Sequence, residues 1–233
     1  LRVAILPKTT NGGNISASLD LHFGDESTLS GKSAVASMTA SLLMRGTKSK
    51  TRQQLQDAIE KLNARVNVGG GGGGGGRGGR GGGGGGSASV SGIGASIEAK
   101  GDTFLAALRL AVEILREPAF PESDFEQIRK QRLAAIDAFR TEPSFLGTSL
   151  LARRISPYPK GHPLYAGTLD EQAEELKKLT LEDVKNFHAK FYGAQYAELV
   201  VVGPVEQTAF LKEAETLLAK WPTPQPYKRM AGK

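Results

Sequence analysis

The sequence predicts an α+β domain in which helices cover one face of a largely antiparallel sheet. Predicted strands come in runs and predicted helices come in runs, whereas a doubly wound fold would alternate them one by one. Residues 15–23 alternate between apolar and polar side chains, which indicates a strand with one buried face. No Gly-, Ser- or Pro-rich linker divides the chain into two balanced cores. Residues 1–221 are therefore predicted to form one domain.

The first elements are two strands and two helices. Residues 1–7 form a short apolar strand, and a Gly-containing turn leads to the strand 15–23, which predicts a hairpin. A helix is predicted over residues 31–47. Its buried stripe recurs at helical spacing and consists of Val35, Met38, Leu42 and Leu43. A second helix starts at Thr51, which forms a capping box with Gln54.

A second pair of strands flanks an unusual segment, the Gly/Arg tract (residues 69–86), which contains sixteen glycines and two arginines. The strand before it is predicted over residues 65–68, and the strand after it over 87–97. Together they predict a hairpin with a long internal loop. The apolar alternation of the second strand changes phase at Gly92, which predicts a β-bulge there.

Helices dominate the second half of the chain. They are predicted over residues 103–117, 122–140, 143–155 and 206–221, with a loop at 157–164 and a strand at 196–202. Two further helices begin at capping boxes, which pair Thr168 with Glu171 and Thr180 with Asp183. The Pro-rich end, residues 222–233, is predicted to link to a following domain, so we interpret the chain as a fragment of a longer protein.

Composition excludes several classes of function. With 233 residues, 39% of them hydrophobic, the chain can bury a proper core. The absence of cysteine excludes disulfides, thiolate metal sites and cysteine nucleophiles. No apolar run approaches the ~18 residues of a membrane span, so no membrane contact is expected. The net charge of +6 comes from scattered cations, which favours a solvated surface over a nucleic-acid patch.

Several segments, in this order, resemble the pitrilysin/insulinase family of zinc peptidases, the inverted-zincin class. They are HFGDES, LLMRGTKSKTRQQLQDAIEKLNARVNV, LRLAVEILREPAFPESDFEQIRKQRL, YPKGHPLYAGTLDEQAEELKKLTLEDVKNFHAKFYGA and ELVVVG. The resemblance covers nearly the whole chain. It implies a metallopeptidase domain of the mitochondrial-processing-peptidase-like type.

Active members of this family carry H-x-x-E-H on the first helix. Two neutral imidazoles one turn apart ligate zinc, and the carboxylate between them is the general base. Aligning the RGT ending of this helix with the family places Ser37 at the first His, Ala40 at the Glu and Ser41 at the second His, so SMTAS replaces the motif. On the downstream helix that supplies the family's third ligand, the nearest carboxylate is Asp137.

The resemblance therefore implies a degenerate, non-catalytic unit of a multi-unit bacterial protein. We expect no catalytic residue, metal ligand or cofactor in this domain, and zinc in a partner domain of a parent zinc metalloendopeptidase. The expected role is to complete the proteolytic chamber. The expected partners are other peptidase-like domains of the same assembly and extended peptide. No substrate-binding residue is assigned, and a periplasmic location is an analogy with the family.

Two alternatives remain open from the sequence. The Gly/Arg tract resembles an RGG-type segment, which would make the chain an RNA-binding module, although it has two arginines and no aromatic residue. A relocated catalytic site could use Asp137, Glu182 and His188. The histidines at 22, 162 and 188 are interpreted as surface, turn and packing residues, and Ser37 with Ser41 as packing residues rather than nucleophiles.

Overall fold

The computed structural model describes residues 1–69 and 90–230. These residues form a five-stranded sheet and eight α-helices. The strands, in the spatial order β1-β5-β2-β4-β3, are β1 (Arg2–Pro7), β2 (Asn14–His22), β3 (Arg65–Gly69), β4 (Gly92–Lys100) and β5 (Glu198–Gly203). The predicted α+β class is confirmed.

Pairing within the sheet is largely antiparallel, as predicted. β2 pairs antiparallel with both β4 and β5, and β3 pairs antiparallel with β4. Only β1 and β5, among the described strands, pair in parallel. The predicted pairing across the Gly/Arg tract is therefore confirmed, with Val66 opposite Ile97. The tract itself lies outside the described residues from residue 70 onward.

The predicted hairpin between the first two strands is wrong, because β5 lies between β1 and β2. Leu199 and Val201 of β5 are fully buried, whereas no residue of β1 is. The two strands are similarly apolar, so their own sequences do not decide which of them lies inside. β5, which comes from the far end of the chain, takes the interior position, and β1 is left at the edge.

The predicted bulge at Gly92 is also wrong. β4 begins at this residue and pairs with β2 in an uninterrupted register as far as Lys100. A Cβ atom at position 92 would lie 2.9 Å from the carbonyl oxygen of Leu21. Glycine is needed at this position because the two backbones approach closely. The predicted start of this strand, residues 87–89, lies outside the described residues.

The helices lie close to their predicted positions. They are α1 (Ser33–Leu42), α2 (Arg52–Lys61), α3 (Gly101–Arg116), α4 (Glu122–Phe139), α5 (Pro143–Ile155), α6 (Leu169–Lys178), α7 (Leu181–Phe191) and α8 (Gln207–Leu218). All three predicted capping boxes form, at the starts of α2, α6 and α7. In the described part of the chain, no helix has both the length and the apolar character needed to cross a membrane.

Helices cover one face of the sheet, and the described side chains of the other face are exposed or half-buried. In β2 the side chains of Ile15, Leu19 and Leu21 are buried, whereas those of Ser16 and Ser18 point to the opposite face. The same alternation continues in β4 and β5. One-sided burial of this kind is expected for an antiparallel sheet with helices on one layer.

The segment that follows α8 lies against the domain. Ala194 donates its backbone N–H to Trp221 at 2.8 Å, and the backbone N–H of Lys228 donates to Gly24 at 3.0 Å. The Tyr227 ring stacks on His22, with 5.0 Å between ring centroids. The described part of this segment therefore packs on the domain, and its role as a linker stays a prediction.

Candidate functional site

Helix α1 carries Ser37, Ala40 and Ser41, the predicted positions of a degenerate metal motif, and packs against α4, α6 and α7. Val35, Met38 and Leu42 of its predicted stripe are buried in the core. A 3₁₀ turn extends the helix to Arg45, and Gly46 ends it with φ at 123°. The core stripe turns Ser37, Ala40 and Ser41 toward a neighbouring cleft, where all three are wall residues.

One guanidinium group binds both serines. Arg132 of α4 donates from Nη1 to Ser37 Oγ at 3.0 Å and from Nη2 to the Ser37 carbonyl oxygen at 3.1 Å. Nη2 also donates to Ser41 Oγ. Ser41 Oγ in turn donates to the Ser37 carbonyl oxygen at 3.0 Å. The two positions that the sequence alignment predicts to correspond to the family's zinc-binding histidines are thus joined by a cation.

The charge of Arg132 is not balanced by an acid in the described structure. All of its hydrogen bonds there go to neutral acceptors on α1. Burial lowers the pKa of Arg132. Arginine nevertheless stays protonated in proteins. The site therefore holds a partly buried positive charge at the wall of the cleft.

These residues do not fit zinc. Zinc takes imidazole, thiolate or carboxylate ligands, and this site offers two serine hydroxyls and an alanine. A guanidinium within hydrogen-bonding distance of both hydroxyls would also repel a divalent cation. Within residues 1–69 and 90–230, no group of three or more His, Cys, Asp or Glu side chains is placed to hold a metal.

Asp137, the carboxylate nearest to the family's third ligand position, lies away from the serines. Its side chain is 75% exposed and forms an ion pair with Arg140 at 3.3 Å. The wall of the cleft is formed instead by other α4 residues, among them Arg132 and Ala135. The structure therefore brings Ser37, Ala40 and Ser41 together with Arg132 and not with Asp137.

Sequence reasoning missed Arg132, although a signal is present. Phe125, Ile128 and Ile136 are buried along one face of α4. Position 132 continues their helical spacing, so an arginine falls where the stripe calls for an apolar residue. A cation in a core-facing stripe indicates a partner on the neighbouring helix, which here is α1.

The three histidines have separate environments. His22 lies 3.8 Å from Glu198, and His162 lies 3.4 Å from Glu26. His188 contacts the Leu115 carbonyl oxygen at 2.8 Å through Nε2, and because a carbonyl only accepts, this nitrogen carries the proton. Burial, the largest cause, lowers the pKa of His188 and keeps it neutral.

The relocated catalytic site gains no support from these positions. No hydrogen bond or ion pair joins Asp137, Glu182 or His188 to one another in the described part of the chain. Asp137 is paired with Arg140, and His188 is bound to Leu115.

The cleft beside α1 has a volume of about 940 Å³. Its walls come from α1, β3, α4, α5 and α6, and from the loop 161–167. Hydrogen bonds fix this loop to the start of α1: Ser30 Oγ donates to Gly161 at 2.8 Å, and Ser33 Oγ donates to Pro163 at 3.1 Å. The cleft is large enough for a peptide side chain or terminus.

Two carboxylates line the α6 wall of the cleft. A hydrogen bond from Lys160 and one from the Thr168 backbone lower the pKa of Glu171 to about 2. Burial and the nearby charge of Glu171 raise the pKa of Glu175. In the described part of the chain, no hydrogen bond or ion pair joins either carboxylate to Arg132. The acidic wall and the cation of α4 are therefore separate features of the cleft.

Comparison with known proteins identifies a family model that matches part of the chain and solved structures that share its fold. The family model of the peptidase M16 inactive domain matches residues 178–233. No curated protein matches the chain by sequence. A crystal structure of a peptidase M16 inactive domain from Pseudomonas fluorescens aligns with a TM-score of 0.72 and 23% identity, over 98% of this chain and 50% of that chain.

Two further structures share the fold. A protease from Helicobacter pylori aligns with a TM-score of 0.66 and 21% identity, over 95% of this chain and 48% of that chain. Pitrilysin aligns with a TM-score of 0.64 and 17% identity, over 95% of this chain and 22% of that chain. The chain thus spans about half the length of the first two structures.

The fold is that of M16 peptidase domains, and the resemblance to the pitrilysin/insulinase family is confirmed. More narrowly, the end of the chain matches the inactive domain of that family. The identities of 17–23% with the solved structures establish a shared fold. They do not assign the activities of those proteins to this chain.

Proposed function

We propose that this chain is a non-catalytic peptidase-like domain of a zinc protease, which completes the proteolytic chamber and contacts partner domains or peptide. The observation that carries the proposal is the contact of Arg132 with both Ser37 and Ser41, the positions of the family's zinc-binding histidines. Zinc chemistry would come from an H-x-x-E-H unit elsewhere in the parent protein or assembly. The proposed contribution of this domain is its surface.

The exposed apolar side of α5 supports a contact with a partner domain. No residue of this helix is buried. Leu150, Leu151 and Ile155 are 65%, 60% and 71% exposed, respectively. Contiguous apolar surface of this kind marks interaction sites on soluble domains. The first two structures that the chain resembles are about twice its length, so related proteins contain further chain that could cover such a helix.

The edge of the sheet supports a contact with extended peptide. β3 is an outer strand of the described sheet, and Val68 and Gly69 line the cleft. An edge strand offers unpaired backbone groups to a strand that is added from outside. A peptide paired with β3 would run beside the cleft.

Metal analysis and a peptidase assay test the non-catalytic role. After dialysis against zinc and removal of excess metal, we expect substoichiometric zinc and no cleavage of a quenched-fluorescence peptide mixture. Stoichiometric zinc together with cleavage that a chelator abolishes would refute the proposal.

Affinity purification tests the partner contact. A tagged chain expressed in its source cells is expected to recover a protein, or a segment of its own parent, that carries H-x-x-E-H. Leu150→Ser with Ile155→Ser should lose this partner. Leu211→Ser, at a 45% exposed position on α8, should retain it. Equal recovery by both variants would exclude α5 as the contact surface.

A further inference from the structure

Arg132 is a partly buried cation, and no acidic side chain of the described protein balances its charge. Desolvating a cation costs several kcal/mol unless an opposite charge or a full set of acceptors compensates it. Here the acceptors are two hydroxyls and one carbonyl oxygen of α1, all of them neutral. The same side chain forms part of the wall of a 940 Å³ cleft. An anion bound in this cleft would balance the charge of Arg132.

Hydrogen-bond donors at this wall remain available. In the described structure, Nη2 of Arg132 donates to two acceptors, whereas Nη1 donates to one and Nε to none. The Ser37 hydroxyl accepts from Nη1, and no described acceptor takes its own proton. Arginine N–H groups and a serine O–H are suitable donors for a carboxylate. These donors belong to neighbouring residues on facing helices.

The remaining charged groups do not fill this role. Glu171 is engaged by Lys160 at 2.7 Å and by the Tyr165 hydroxyl at 3.1 Å. Glu175 stands on the same α6 wall, where burial and the charge of Glu171 raise its pKa. In the described part of the chain, no hydrogen bond or ion pair joins it to Arg132. Arg153 of α5 adds a second cation to the lining of the cleft.

We propose that the cleft binds a carboxylate group, with Arg132 and Ser37 as its hydrogen-bond donors. The source of this carboxylate rests on the proposed function. It belongs to the bound peptide, either as its C-terminus or as an acidic side chain. The positions that bind a cation in active members would then bind an anion through a fixed guanidinium. The degenerate motif becomes a recognition site.

Peptide binding tests the source of the carboxylate. Fluorescent pools of short random peptides are prepared with a free C-terminus and as amides, and a second amidated pair differs by one Asp→Asn exchange. The 233-residue chain is expected to favour the carboxylate member of at least one pair by about tenfold. Arg132→Met should abolish this preference, and Lys130→Met, an exposed change on the same helix, should retain it.

The outcomes separate the possibilities. Preference for the free terminus identifies a C-terminal carboxylate, and preference for Asp identifies a side chain. Ser37→Ala, which leaves Arg132 in place, should weaken the preference. This variant tests the same site if Arg132→Met fails to fold. No preference in either pair, or a preference that survives Arg132→Met, would overturn the inference.

A titration without peptide keeps the inference separate from the proposed function. In NMR spectra of the ¹⁵N-labelled chain, the Arg132 Nε–H resonance is expected to move with sodium acetate and not with sodium chloride at equal ionic strength. If acetate binds and neither peptide pool does, the carboxylate site stands and the peptide contact fails. An unmoved resonance would refute the carboxylate site even if peptides bind elsewhere.

Discussion

Restoring the metal motif tests whether Arg132 takes the place of the metal. Ser37→His, Ala40→Glu and Ser41→His together return H-x-x-E-H to α1. The two imidazoles would lie one turn apart, as zinc requires. We compare this triple variant with the same variant carrying Arg132→Met. The expectation is that zinc binds tighter when the guanidinium is absent.

The expected change in zinc affinity is set by the smaller of two free-energy costs. If the guanidinium stayed about 5 Å from zinc, repulsion at an effective dielectric constant of about 20 would reach about 7 kcal/mol. Arg132 can instead turn out of the cleft and lose its hydrogen bond to the Ser37 carbonyl oxygen, the acceptor that survives the substitutions. That loss costs about 1.5–3 kcal/mol. The lower cost prevails, so Arg132 should weaken zinc binding by about 10- to 150-fold.

Competition with a chromophoric chelator measures both dissociation constants. Lys130→Met in the triple variant removes the same charge from an exposed position of α4 and should leave zinc affinity unchanged. Equal affinity with and without Arg132 would refute the idea that it occupies the metal position. Zinc binding by the variant without Arg132 would support the alignment that places Ser37 and Ser41 at the histidine positions.

Four further predictions concern the fold and the alternatives. Gly193→Ala should destabilise the chain by about 1–3 kcal/mol in urea, because its Cβ would lie 2.3 Å from the carbonyl oxygen of Pro222. Gly147→Ala, with open space at Cβ, should instead stabilise α5 by about 0.5–1 kcal/mol. The pKa of Glu171 is about 2, below its ordinary 4.5, so its stabilising contribution is present above pH 4.5 and is lost as the pH falls toward 2. Glu171→Gln should make the melting temperature depend less on pH between pH 4.5 and pH 2. Deleting the Gly/Arg tract should leave RNA affinity unchanged at every salt concentration, and a loss would favour the RNA-binding alternative.

Local signals in the sequence predicted the helices well. Capping boxes such as Thr168 with Glu171 fix helix starts through hydrogen bonds within one turn, so they are readable without tertiary structure. Pro143 likewise marks the first turn of α5. The pairing of the strands was harder to predict from the sequence. The parallel contact of β1 with β5 joins the two ends of the chain, and sequence proximity favoured a hairpin instead.

The candidate site was predictable in part. The alignment of the RGT ending identified Ser37, Ala40 and Ser41, and the structure places all three at one cleft. The buried stripe of α4 places Arg132 on the core-facing side, but which residues of α1 it meets there depends on tertiary packing, which no local pattern specifies. Asp137 was the nearest carboxylate in sequence, yet the helical rotation that turns Arg132 inward leaves Asp137 exposed.

The most direct test of the central claim is a crystal structure grown with excess zinc, with anomalous data measured on both sides of the zinc edge. We predict no anomalous peak at α1, and density for the Arg132 guanidinium within hydrogen-bonding distance of Ser37 and Ser41. A zinc peak within about 2.0–2.3 Å of either serine oxygen, with Arg132 displaced, would contradict the account.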